Sequence, residues 1–365
     1  MKKLALIIML IFVALACQGT PAPVIEVEEV TLLDTLEAVD SIGIFLGDSN
    51  YVLGAIADFT MLPGTQPIIL DRIKGKVSVF DSAGEFIRSF GRFGEAPGEF
   101  QGPIAVTALS SGIIVVIDRY AKVISFDSMG NHLNDWSMDG LGGFPINLIP
   151  FDDSTFVSYN FSMRRTEEGF GINFLMSRYH ALTGEILTDY FDWSGDPNPS
   201  TDFTPGYLVT TSDGNGTVYL SRIQSDSWMV EVYGADNLPV DTISLFPERQ
   251  RIAASDSVMI PGTVYIGYAF SDGETQQTEY VNMPEFHPFV SQLGVDGEGN
   301  IWCRRGGFPG NWWDVISPEG ELLKEVFVSL PDSAYFIEMD VCPEGILAYD
   351  MMTEDYHKLY KMEFN

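Results

Sequence analysis

One hairpin recurs along the chain, and that recurrence limits the fold more than any other feature. The clear copies are VSVFDSAGEFIRSF (77–90), VISFDSMGNHLNDW (123–136), SRYHALTGEILTDYF (177–191) and DVISPEGELLKEVF (314–327). Each reads as an apolar run, a four-residue turn ending in glycine, and a second run. A degenerate copy, VEVYGADNLPVDTISL (230–245), has Asn237 near the glycine position. The spacing is 46 residues from Gly84 to Gly130 and 54 from Gly130 to Gly184. Ahead of these hairpins lie further pairs, IAVTALSSGIIVVID, YLVTTSDGNGTVYLS and VSQLGVDGEGNIWC, that again read strand, turn, strand. Each unit is therefore a four-stranded antiparallel meander, and this period with this strand count predicts a propeller blade.

Counting units gives six blades, at about Tyr51–Phe90, Ile104–Trp136, Pro145–Phe191, Tyr207–Leu245, Val290–Phe327 and Tyr335–Phe364. The segment GRFGEAPGEFQGP (91–103) is the crossing from one blade's outer edge to the next inner strand. It is Gly-rich, but its spacing fits no phosphate loop. The last unit offers only three strands before Asn365, whereas VIEVEEVTLLDTL (24–36) is strand-like and precedes the first blade. A propeller must close to protect its edges, so Val24–Leu36 is expected as the outer strand of the final blade. Between blades 4 and 5, residues 246–288 form an insertion, expected to be partly helical around PERQRIAASDSVM.

The stretch FGRFGEAPGEFQGPIAVT resembles the NHL-repeat pattern, and the larger chain resembles bacterial six-bladed β-propeller lipoproteins with such repeats. The first two blades carry the likeness best, FHPFVSQLGVDGEGNIWCRRGGFPGNWWDVISPEGELL also matches, and 151–292 diverges. The resemblance implies an all-β, six-bladed fold and no single activity.

The chain opens MKKLALIIMLIFVALAC: two lysines, a short apolar run, then Ala16 and Cys17. This is the pattern of a secretory signal, too short to span a bilayer as a mature helix. The cysteine directly after Ala16 makes it resemble a bacterial lipoprotein signal. That implies a signal peptide at 1–16, lipid on Cys17, a tether at 17–23 and the propeller at 24–365. Gln18 in place of aspartate favours the outer membrane, facing the periplasm or the cell surface.

Removing Lys2 and Lys3 with the signal takes the net charge from −31 to −33. Nucleic acid is an unsuitable partner for so acidic a chain. A protein, peptide or glycan ligand, and a monomeric state, are the expectation. His132, His180, His287 and His357 show no metal-ligand spacing, and DGNG at Asp213 and DGEGN at Asp296 read as turns rather than calcium loops. No cofactor is expected. Cys303 and Cys342 are expected as free buried thiols. Trp302, Trp312 and Trp313 suit either packing between blades or stacking on a sugar.

Two functions compete. One is a lipid-anchored binding or scaffold module; the other is a hydrolase or lyase with a metal in the propeller channel. The strand starts PIAVT, PINLI, YLVTT and FVSQL offer Asn147 and Gln292 and little carboxylate, which favours binding. Arginine is scarce, yet it recurs after the second strand in ILDRI (Arg72), VIDRY (Arg119), YLSRI (Arg222) and IWCRR (Arg304). With Arg92 on a crossing at the same end, these residues are the candidate anion-binding rim. Each could instead pair with a carboxylate of its own blade, such as Asp71 or Asp118.

Overall fold

A computed structural model of the chain describes residues 33–138, 144–166, 169–195, 208–222, 228–245, 289–306, 311–331, 337–351 and 356–364. Four blades are separate four-stranded antiparallel sheets. The first holds β2 (Ile56–Leu62), β3 (Gln66–Asp71), β4 (Lys76–Phe80) and β5 (Phe86–Phe90). The second holds β6 (Pro103–Ala108), β7 (Ile114–Asp118), β8 (Lys122–Phe126) and β9 (His132–Ser137). The third holds β10 (Phe144–Pro150), β11 (Thr155–Thr166), β12 (Gly169–His180) and β13 (Ile186–Gly195). The fourth holds β14 (Leu208–Ser212), β15 (Val218–Arg222), β16 (Trp228–Tyr233) and β17 (Pro239–Leu245).

The last two blades share one eight-stranded sheet. Blade 5 is β18 (Val290–Val295), β19 (Ile301–Arg305), β20 (Trp312–Ile316) and β21 (Leu322–Ser329). Blade 6 is β22 (Ile337–Cys342), β23 (Gly345–Asp350), β24 (Leu359–Phe364) and, from the opposite end of the chain, β1 (Leu33–Ile42). β1 pairs antiparallel with β24 and parallel with β21. It supplies the fourth strand of the last blade, as closure demands, and also joins the outer edges of blades 5 and 6. The described strand, 33–42, shares residues 33–36 with the expected segment and runs six residues past it; residues 24–32 lie outside the described residues. Its buried positions are Leu36 and Ile42, so burial, not β-propensity, sets where the strand pairs.

Burial falls from the second strand of a blade to its outer strand. In blade 2 all five residues of β7 are buried, whereas β9 is mostly exposed. The second strands β3 and β7 are covered on both faces by neighbouring blades and read as near-continuous apolar runs; outer strands are wetted. Among the described residues, six apolar clusters fill the six gaps between blades, including the gap between blades 6 and 1. The ring is thus closed by packing as well as by β1.

The repeated turn has one mechanism. Asp81 Oδ1 accepts from the amides of Ala83 and Glu85, and Asp127 Oδ1 from Met129 and Asn131. Ser317 does the same for Glu319 and Glu321. The glycine at the fourth position takes a positive φ, 76° at Gly84 and 88° at Gly130, which a side chain would oppose. The crossing at 91–102 folds on itself: Phe100 N donates to Arg92 O, Gly94 N to Phe100 O, and the Phe100 ring is fully buried between blades 1 and 2. Asp71 and Asp118, at the ends of β3 and β7, hold the chain arriving at the inner strand of their own blade. The first accepts from Gly54 N and Ala55 N, the second from Gln101 N and Gly102 N. The insertion at 246–288 lies outside the described residues.

Candidate functional site

The inner strands β2, β6, β10, β14, β18 and β22 enclose a central cavity of about 380 Å³. In β2, β6, β10 and β18 the pairing slips by one residue near the strand start. Each slip is a bulge, which re-aims the following side chain. Three of those residues bridge to the next blade around the channel. Asp58 Oδ2 accepts from Val106 N (2.8 Å), Asn147 Nδ2 donates to Thr210 Oγ1 (2.9 Å), and Gln292 Nε2 donates to Met339 O. Thr60 lies beside Asp340 across the last gap and opposes the rise of its carboxyl.

The wall is electrostatically one-sided. Asp58 on blade 1 and Glu338, Asp340 and Glu344 on blade 6 line one side, and Asp213 lies at a hairpin on blade 4. Among the described residues, no lysine, arginine or histidine lines the cavity. Blades 2 and 3 present Thr107 and Asn147 among apolar residues. The acidic side chains keep some area open to the channel, but protein atoms surround each carboxyl. Burial therefore pushes Asp58 well above the usual carboxylate range, with the charges of Glu338 and Asp340 adding to it. Burial likewise raises Glu338, opposed by Arg304, and pushes Asp340 up to about 6, with Glu344 and Glu338 contributing. Two acceptors behind this wall, Gln292 Oε1 and Asp340 Oδ2, are closed to the channel and have no hydrogen-bond partner among the described residues.

This wall differs from the sequence expectation of little carboxylate. The carboxylates come from IADFTML and IEMDVC, the inner strands flanking the closure, and the four strand starts considered above omit both. Among the described residues, no three His, Cys, Asp or Glu side chains are grouped so as to hold a metal ion.

The arginines do not share one position. Asp71, Asp118, Arg222 and Arg305 each pair with the first described residue of their inner strand, Ile56, Pro103, Leu208 and Val290. Arg222 is therefore equivalent to Arg305, Arg304 precedes that position, and Arg72 and Arg119 follow it. The four arginines thus fall at three successive positions rather than at one recurring position of the blade. Individually, Arg92 bonds Glu99 of its own crossing (2.5 Å). Arg222 pairs with Glu231 (3.5 Å) and lies over the Phe191 ring of blade 3. Arg304 Nη1 donates to Ile337 O (2.8 Å) between blades 5 and 6. Arg72 and Arg119 are exposed, and the Arg119 side chain lies over Gly102.

The other singled-out residues have structural partners. His132 Nε2 meets Asp135 (2.7 Å), His180 Nδ1 accepts from Leu182 N and Thr183 N, and His357 Nδ1 meets the Tyr349 hydroxyl (2.7 Å). His287 lies outside the described residues, as does Cys17. Asp213 and Asp296 cap their own turns, and Asp296 Oδ2 also accepts from Trp302 Nε1. Trp302 and Trp313 are buried in the cluster between blades 5 and 6, while Trp312 is half-buried against Phe327. Cys303 and Cys342 are free; burial raises both thiols, which makes them poor nucleophiles.

Residues 48–205 match the DUF5128 family model, described as "6-bladed beta-propeller". The match covers under half of the chain, in its first three blades. No curated protein matches. Among solved structures, an exported-protein candidate from Bacteroides fragilis is similar at 11% identity with a TM-score of 0.51, over 92% of this chain and 99% of that one. A DUF4221 member from Bacteroides vulgatus is similar at 9% identity and TM-score 0.49, over 91% and 99%. Virginiamycin B lyase from Staphylococcus aureus is similar at 10% identity and TM-score 0.46, over 90% and 98%. At such identities the likeness concerns the fold.

Proposed function

We propose that the protein is a lipid-anchored, extracytoplasmic binding module whose ligand sits in the propeller channel. One observation carries this reading: six inner strands enclose a cavity of about 380 Å³ whose lining, among the described residues, joins the carboxylates of blades 1 and 6 to the apolar side chains of blades 2 to 4. The volume is at the lower end of the roughly 300–1,000 Å³ of small-ligand sites. It suits a small molecule or one side chain of a peptide better than a folded partner. The anchor is the signal at 1–16 with lipid on Cys17.

The channel is tested by plugging it. Asn215 is exposed at a hairpin lining the cavity, and Asn215→Trp puts a large ring there without touching the core. In a thermal-shift screen of a fragment library, compounds that stabilise the parent should lose their effect in this variant. Hits that the plug leaves unaltered, or no hits at all, would remove the channel as ligand seat. The anchor has its own test. Cys17→Ser should move the protein from the membrane fraction to the soluble periplasmic fraction, and an unchanged distribution would refute lipidation.

A further inference from the structure

We propose that the rim where blades 6 and 1 meet is a membrane-docking surface, which rests exposed apolar side chains and flanking cations on the bilayer that holds the anchor. The surface is read from the fold, and its occupant rests on the lipid-anchor reading above. Strands alternate in direction within a blade, so the turns between second and third strands share one end of the ring with the crossings between blades. At that end four neighbouring elements expose large apolar side chains. The crossing from β1 to β2 carries Phe45, 69% exposed, and Leu46, 85% exposed, the highest value for a large apolar side chain among the described residues. The β3–β4 turn exposes Ile73, the crossing from β5 to β6 Phe93, and the connection from β23 to β24 Met351.

Contacts join these elements into one surface. Lys74 Nζ, in the β3–β4 turn, donates to Ser49 O (2.8 Å) in the first crossing. The Phe45 and Tyr356 rings stand 6.1 Å apart, and Lys358 Nζ lies 4.6 Å from the Tyr356 ring centre. The Phe93 ring lies over Gly75, where a Cβ would come within 2.8 Å of it. A contiguous exposed apolar surface with a polar rim marks an interaction site, whereas Met129 and Leu238, exposed at the opposite end, sit singly on blades 2 and 4.

Charge and the tether select a bilayer as the occupant. Among the described residues, no hairpin turn at the opposite end carries lysine or arginine, and those turns hold Asp81, Asp127, Asp213, Asp236, Asp296 and Glu319. Headgroup phosphates repel that end. At the blade 6–1 rim, among the described residues, Arg72, Lys74, Lys76, Arg92 and Lys358 offset an equal number of carboxylates, of which Asp48 and Glu95 are the exposed ones. The rim is thus balanced in a chain of net charge −31. Lysine and arginine beside exposed Phe, Leu, Ile and Met is the chemistry of interfacial membrane contact. With lipid on Cys17, residues 17–32 give a tether of up to about 50 Å, longer than the roughly 33 Å of the ten-residue β1. Either end of the ring then reaches the bilayer at an effective concentration of about millimolar, and the apolar rim decides which end rests there.

The test uses the chain from Gln18, without signal or lipid, and vesicles of phosphatidylethanolamine and phosphatidylcholine at about physiological salt. The protein should float with the vesicles. Phe45→Ser combined with Leu46→Ser should lower the bound-to-free ratio by about tenfold or more, since both side chains are then lost from the bilayer. Arg72→Glu should lower it too, and Leu238→Ser, at the opposite end, should not. Leu46→Trp should add a fluorescence component that shifts to the blue on binding and is quenched by brominated lipid. A parent chain that does not float, an equal loss from Leu238→Ser, or a Leu46→Trp signal that brominated lipid leaves unquenched would overturn the proposal. A dimer in sedimentation that depends on Phe45 and Leu46 would also overturn it, by assigning the surface to a second copy. Without lipid such contact is reversible and washes off membranes, so the Cys17→Ser fractionation still reports on the anchor. If the vesicles bind and the mass of the cellular protein shows no acyl chains, the anchor reading falls alone; if the acyl chains are present and the vesicles stay bare, docking falls alone.

Discussion

The closing strand makes the sharpest stability prediction. Leu36 of β1 is fully buried, in the cluster that includes Trp302, Val326, Val328 and Met362. Val39, three residues on, is 54% exposed at the bulge between Ala38 and Asp40. Leu36→Ala leaves a cavity where two blades and the first strand meet, and such truncations cost about 2–5 kcal/mol. Val39→Ala removes methyl groups that already face water, so its cost should stay within about 0.5 kcal/mol. Urea titrations followed by tryptophan fluorescence measure both, since Trp302 and Trp313 report on the interface that Leu36 fills. Removing residues up to Ile42 is the severe form. It deletes five parallel pairs with β21 and six antiparallel pairs with β24, and bares two strand edges. Equal midpoints for the two point variants, or a truncated protein as stable as the parent, would refute the closure argument.

The channel carboxylates should cost stability where they ionise. Asp340 titrates at about 6 in the fold against 3.8 in the unfolded chain. Its contribution is therefore fully present below pH 3.8 and is lost as pH rises through 6. Asp340→Asn mimics the protonated form, so it should be more stable than the parent at pH 8, by about 1–3 kcal/mol, and similar to it at low pH. Chemical denaturation at the two pH values measures the difference, and parallel pH profiles would count against it. Asp118→Ala strips the acceptor from Gln101 N and Gly102 N in a fully buried site. It should destabilise by about 1–3 kcal/mol, whereas Asp118→Asn should recover part of that; denaturation midpoints decide.

Much of the fold was legible because a blade repeats its own chemistry. A turn that needs an oxygen at its first position and glycine at its fourth prints D-x-x-G into the sequence, as at Asp81–Gly84 and Asp127–Gly130. Strand runs between such turns set the blade bounds to within a few residues. The closing strand was located by need rather than by pattern, and its extension to Ile42 was missed because Leu36 and Ile42 are anchored by residues about 300 positions away, such as Val328 and Leu359. The channel wall was less legible for a related reason. Asp58, Glu338 and Asp340 lie far apart in the chain and meet because the ring brings its first and last blades together. The arginines misled for the opposite reason. A shared place after a strand looks like one position in a string of letters, but pairing to the neighbouring strand assigns Arg119, Arg222 and Arg304 to three.

β1 also fixes an order of events. The Asp34 carboxylate meets the Lys324 ammonium across 290 residues of chain, and Leu36 faces Phe364 in the last strand. A chain made or exported from its amino end must carry this strand unpaired until its final blade has emerged, and the loop thus closed is nearly the whole protein. Blades built from hairpins can form locally in the meantime, each with an unsatisfied flank toward the missing neighbour. Ring closure is then the slow, concentration-sensitive stage, in which a free strand of one molecule competes for the open edge of another.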